Sequence, residues 1–112
     1  MLNIETLREY CLSKPDVEED MPFGNSTLVF KVNNKIFLLA PLDKTLQFNV
    51  KCDPNKAVEL RAQYSSVEPG FHMNKKHWNT VTVDETIPYE LLLSFIDHSY
   101  NLVKLAKKKS NS

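Results

Sequence analysis

The chain has 112 residues, 42% of them hydrophobic, enough to bury one core without disulfide or metal staples and too few for two. Fourteen basic residues balance fourteen acidic ones, which removes the simplest signature of a nucleic-acid binder, a strongly basic domain. Apolar runs such as Ile36 to Pro41 and Leu91 to Leu93 fall far short of the roughly 18 residues of a membrane span, and the N-terminus is charged from Glu5 onward, so neither a membrane segment nor a signal peptide is expected. Cys11 and Cys52 lack CxxC spacing and read as reduced thiols in a cytoplasmic protein.

Asn3 is placed to cap a first helix, with Glu5 in the positive first turn and Ile4, Leu7 and Cys11 on one face; the helix is expected to end before Pro15. The segment KPDVEEDMPFGNS, with its prolines, acids and glycine, reads as a loop. TLVFKV and KIFLLAPL then alternate as strands around Asn33-Asn34, a pair that tolerates the positive φ of a tight hairpin turn. After a turn at Asp43-Lys44, LQFNVKC puts Leu46, Phe48, Val50 and Cys52 on a core face, and Gln47, Asn49 and Lys51 on a face open to water or ligand. Asp53-Pro54 is an N-cap followed by proline at the first helical position, opening a second helix over about residues 54 to 64. A short strand is expected at Phe71 to Met73 and another in WNTVTV. A last helix opens at Pro88, with Leu91, Leu92, Phe95, Ile96, Ser99, Leu102 and Val103 facing inward and Asp97, His98 and Lys104 outward.

This order predicts an α+β fold: an antiparallel sheet of about five strands with three helices packed on one face. One domain would occupy residues 1–106, followed by a basic and polar tail at 107–112.

No pattern for catalysis or metal binding emerges. His72 and His77 lie five residues apart without further ligands, and structural zinc needs four. The acidic run at 16–20 lacks the alternating acids and central glycine of a calcium loop. Neither cysteine has a local activating motif, and two glycines cannot make a phosphate loop. No cofactor is expected. The run GFHMNKKHWNTV, residues 70–81, is the exception to this plainness. Its lysines suit phosphates, its asparagines suit phosphates or base edges, and its histidines and tryptophan offer flat ring faces. The competing reading makes Trp78 a core anchor and Lys75 and Lys76 guards of a sheet edge.

Three blocks, DMPFG with TLVFKV, NVKCDPNKAVELR and PGFHMNKKHWNTV, resemble the MmcQ/YjbR family of small bacterial proteins, and flanking helices extend the resemblance over nearly the whole chain. It implies a compact fold like that of the frataxin-like CyaY proteins, and DNA binding through a double-wing arrangement of hairpin loops. The positions matching the family's distinctive polar residues are Lys51, Asn74, Lys75, Lys76, His77, Trp78 and Asn79. The iron binding of frataxin-like folds is not supported, because the first helix carries only Glu5 and Glu9 against Arg8. The expectation is therefore a monomeric, non-enzymatic DNA-binding protein of the cytoplasm, away from membranes. The alternatives are a protein-interaction or chaperone-like module, and a small-molecule sensor or enzyme built on His72 and His77.

Overall fold

The computed structural model describes residues 2–42, 45–70 and 73–110, with 106–110 by backbone alone. The elements run α1 (Ile4–Leu12), β1 (Val17–Asp20), β2 (Thr27–Val32), β3 (Lys35–Pro41), β4 (Gln47–Lys51), α2 (Pro54–Gln63), β5 (Val67–Pro69), β6 (Trp78–Thr82) and α3 (Tyr89–Ser110). The strands form one antiparallel sheet in the order β1-β2-β3-β4-β6-β5. The expected α+β architecture is present with six strands.

The additional strand, β1, lies in the segment read as a loop. Its pattern is carried by charge: Val17 and Glu19 are half-buried and Glu18 and Asp20 exposed. It is held against β2 from Val17↔Val32 to Asp20↔Val29. Arg8 of α1 pairs with Glu19, and Lys31 Nζ donates to Asp20 at 3.2 Å, so no hydrophobic alternation marks it in the sequence. The expected Phe71–Met73 strand has a different outcome. Met73 sits in a bend, Phe71 and His72 lie outside the described residues, and the strand that pairs with β6 on the side away from β4 is Val67–Pro69. The expected turn at Asp43-Lys44 also lies outside the described residues.

Local chemistry explains the other boundaries. Asn3 and Thr6 cap α1 reciprocally, each side chain taking the other's backbone N–H at 2.9 Å. Asn33 (φ 54°) and Asn34 (φ 66°) both occupy the left-handed region, the requirement of a tight hairpin turn. Asp53 accepts from the amides of Asn55 and Lys56 ahead of Pro54. The carbonyl of Pro88 receives the amides of Leu91 and Leu92, so α3 starts one residue later, at Tyr89. Its backbone continues through Ser110, into the segment expected as a tail.

All three helices bury their apolar stripes in one cluster on one face of the sheet: Leu7 and Cys11 from α1, Ala57 and Leu60 from α2, and Leu92, Phe95, Ile96, Tyr100 and Val103 from α3. Burial on this scale is the main favourable term in the fold. Tyr100, absent from the expected stripe, meets Phe37 edge-to-face at 5.4 Å and donates to Pro15 O at 2.7 Å. Asp97 and His98, expected to face water, are half-buried and bonded. Tyr10 donates to Asp97 at 2.7 Å, and Lys14 pairs with the same carboxylate while its ammonium lies 4.7 and 5.3 Å from the Tyr10 and Tyr100 ring centres. Burial, reinforced by Asp97, pushes the Tyr10 hydroxyl up to about 12.

On the second sheet face, Val29, Leu39, Asn49 and Thr80 stand in one row across four strands. All four are buried, so Asn49 does not meet water as expected; its Oδ1 accepts from Thr80 Oγ1 at 2.5 Å. Gln47 and Lys51 are half-exposed on the same strand.

One bulge organises the centre. Phe30 faces Leu38 and Lys31 faces Ile36, which leaves Phe37 as an extra residue in β3. The buried hydroxyl of Ser99 donates to Phe37 O at 2.5 Å and accepts from Lys51 N at 2.8 Å. Ser99→Ala would strand both backbone groups, and a loss of about 1 to 3 kcal/mol is expected by urea denaturation. Ser94→Ala, which removes only a bond to Leu91 O within α3, should stay within roughly 0.5 kcal/mol of wild type.

Candidate nucleic-acid interface

The conspicuous polar block folds as a braced corner leading into β6. Asn74 Oδ1 accepts from Lys76 N at 2.9 Å and His77 N at 3.2 Å, and Asn74 O accepts from Trp78 N at 2.9 Å. This is the local side-chain-to-backbone bonding that asparagine favours in turns. Gly70 closes the corner, donating to Trp78 O at 2.8 Å. A Cβ on Gly70 would stand 2.8 Å from Trp78 Cβ and 3.1 Å from Trp78 O, so the position needs glycine for close approach. Lys75 Nζ donates to Gly70 O at 3.0 Å. Arg61 of α2 reaches Asn79 Oδ1 at 2.7 Å through Nε, and Lys75 O and Trp78 O through Nη2.

These bonds sort the seven residues singled out in the sequence. Asn74 shapes the turn, and Lys75, although exposed, has its ammonium on a loop carbonyl. Asn79 does not belong to the surface: it is 2% exposed, sits opposite Val50 among core residues, and accepts from Arg61. Lys76 is exposed, and His77 and Trp78 are half-buried. Lys51 lies beside them: it is the cross-strand partner of Trp78, and the next residue, Cys52, donates its amide to His77 O at 2.7 Å. Among the described residues, the ammonium groups of Lys51 and Lys76 make no hydrogen bond or ion pair. The β2-β3 hairpin tip is a weaker source of cations, because Lys31 is paired with Asp20 and leaves only exposed Lys35 beside the two asparagines.

Sequence reasoning missed Arg61 and the structural part of Gly70. Gly70 carried a signal, being one of two glycines in the chain. Arg61 carried none, because an arginine in the last turn of a helix is ordinarily read as a partner of the helix dipole.

Beneath the corner, Val50, Cys52, Leu60, Val67, Phe95 and His98 line a crevice that encloses about 10 Å³, room for about one water molecule. His98 Nε2 accepts from the Asp53 amide at 3.2 Å, which requires a neutral ring. Burial lowers its pKa first and nearby Lys56 adds to this, while Asp53 opposes both. His72, the other half of the sensor or enzyme alternative, lies outside the described residues. Burial pushes the Cys11 thiol up to about 12 and also raises Cys52, so both are poor nucleophiles.

Fold and site together define a small α+β protein whose one-sided antiparallel sheet ends in a braced, lysine-bearing corner. The chain belongs to the YjbR family, whose model matches residues 12–102. It is 43% identical over 100 residues to the uncharacterised protein YbdF of Escherichia coli O157:H7, covering 88% of this chain and 82% of that one. It is 31% identical to the uncharacterised protein YjbR of Escherichia coli K12, with 96% of each chain covered. Among solved structures, the Deinococcus radiodurans protein DR2400 superposes with a TM-score of 0.88 at 40% identity, covering 92% of this chain and 79% of that one. A Pseudomonas syringae protein shares the fold at 24% identity with a TM-score of 0.79, over 91% and 99% of the two chains. No helix among the described residues is long and apolar enough to cross a membrane.

Two measurements check this geometry. Gly70→Ala should destabilise the protein by about 1 to 3 kcal/mol, because the backbone and Cβ of Trp78 cannot yield cheaply. For His98, the folded pKa lies below the ordinary 6.5, so between the two values the unfolded chain binds more protons and stability rises with pH. Its contribution is complete above about pH 6.5 and is lost as pH falls from there through the folded value. Denaturation from pH 7.5 down to 4.5 (roughly the range in which histidine titrates) should show a shallower pH slope for His98→Gln than for wild type.

Proposed function

We propose that the protein binds DNA through the 74–78 corner and the adjoining end of β4, without enzymatic turnover. The observation that carries this reading is the Lys51↔Trp78 pairing. It sets a lysine and a half-buried aromatic ring side by side, next to exposed Lys76 and half-buried His77. Lys51 and Lys76 contact phosphates, with Lys75 adding charge from its tether, and the rings of His77 and Trp78 pack on sugars or bases. The hydrogen-bonded corner supports the reading because a surface that is already shaped loses little entropy on binding. With so few phosphate contacts and no helix offered to a groove, binding is weak, strongly salt-dependent and independent of sequence. Two buried, reduced thiols fit the cytoplasmic setting such a partner requires.

A second reading, a protein-interaction module, draws on the exposed side chains of Met21 and Phe23 between β1 and β2. Fluorescence anisotropy of a labelled duplex, titrated at several salt concentrations, separates the two. DNA binding predicts log K falling against log salt with a slope of roughly −2 to −3, and a Lys51→Ala, Lys76→Ala double variant that loses about two units of that slope. No binding at low salt would overturn DNA binding and favour a protein partner.

A further inference from the structure

Arg61 holds the corner from the helix side in an unusual way. Its guanidinium joins α2 to residues at both ends of the turn: Nε donates to Asn79 Oδ1 at 2.7 Å, and Nη2 donates to Lys75 O and, at 3.3 Å, to Trp78 O. All three acceptors are neutral. The ion pairs of the described residues are Arg8 with Glu19, Lys14 with Asp97 and Lys31 with Asp20, and Arg61 takes part in none. A guanidinium remains charged in a protein, so a positive charge met by carbonyl oxygens and the C-terminal end of α2, and by no carboxylate among the ion pairs of the described residues, stands behind a turn that already carries Lys75 and Lys76. The brace therefore brings charge to the turn as well as shape. Lysine would keep the charge but lacks a planar fork that spans three acceptors.

We propose that Arg61 is a positioning residue of the DNA-binding surface, which fixes the turn that aims Lys76 and adds positive charge from behind without touching DNA. This rests on the DNA-binding reading. Its consequence is energetic coupling: the contribution of Lys76 to DNA affinity depends on Arg61, although the two act in different ways. Phosphate bound at the turn also relieves the repulsion among Arg61, Lys75 and Lys76, which adds to the salt dependence of binding.

The test is a double-mutant cycle on DNA affinity, using anisotropy with a labelled duplex and circular dichroism to establish that each variant is folded. Arg61→Gln is expected to weaken binding roughly tenfold and to flatten the salt slope by about one unit, as loss of a phosphate-contacting lysine would. Adding Lys76→Ala in that background should cost less than about twofold more, where the same change in wild type costs roughly fivefold. Arg61→Lys should remain weaker than wild type because it restores charge without the fork. Should Arg61→Gln fail to fold, Asn74→Ala loosens the same turn from its exposed side, by removing the side-chain bonds to Lys76 N and His77 N. It is expected to show the same coupling to Lys76→Ala. Additive effects, an unchanged slope in folded Arg61→Gln, or wild-type affinity in Arg61→Lys would overturn the proposal and leave DNA binding standing. Failure of the wild-type protein to bind duplex at low salt would overturn the underlying reading and the proposal with it.

Discussion

A single hydroxyl group ties the helical layer to the end of the sheet that carries the lysine-bearing corner. Ser99, fully buried on α3, donates to the carbonyl of the extra residue Phe37 and accepts the amide of Lys51. The β3-β4 ladder is registered only through Leu38↔Val50 and Leu39↔Asn49, so the bulge would otherwise leave two buried backbone groups without partners. Such groups are costly in a protein interior. The corner and the start of α2 lie immediately beyond this contact. Lys51 is set opposite Trp78, the amide of Cys52 meets His77 O, and Asp53 caps the helix that carries Arg61.

The corner shows how a run of polar residues divides its labour. Asn74 closes a turn, Lys75 reaches back to Gly70, and Asn79 passes beneath the sheet to receive Arg61. These contacts satisfy groups that would otherwise be unpaired around a change of chain direction. What faces outward is smaller: Lys76, two half-buried rings and Lys51 from a neighbouring strand. A motif rich in donors and acceptors therefore describes the construction of a surface at least as much as its use.

Features set by adjacent residues could be read from the sequence. Asn33-Asn34 and Asp53-Pro54 specify their turn and helix start through backbone conformation and capping, and β2, β3 and β4 announce themselves by alternation. What escaped depended on distant partners. β1 is a strand of carboxylates made tolerable by Arg8 and Lys31. Asp97 and His98 fall on the polar side of a helical wheel, yet Tyr10, Lys14 and the Asp53 amide come to meet them. The candidate positions could be picked out as a set of residue types, and the structure pairs Lys51 with Trp78 across β4 and β6. The inward turn of Asn79 follows from strand alternation opposite Val50, and it was obscured by the polar character of its neighbours.

The two margins of the sheet bear on how the molecule meets others of its kind. One margin is β1, whose outward-facing residues include Glu18 and Asp20; the other is β5, three residues long and ending on Pro69, which has no amide hydrogen to offer. A second copy aligning against β1 would bring like charges together, and one aligning against β5 would find a ladder that stops almost at once. Both margins thus resist growth of the sheet into fibrils.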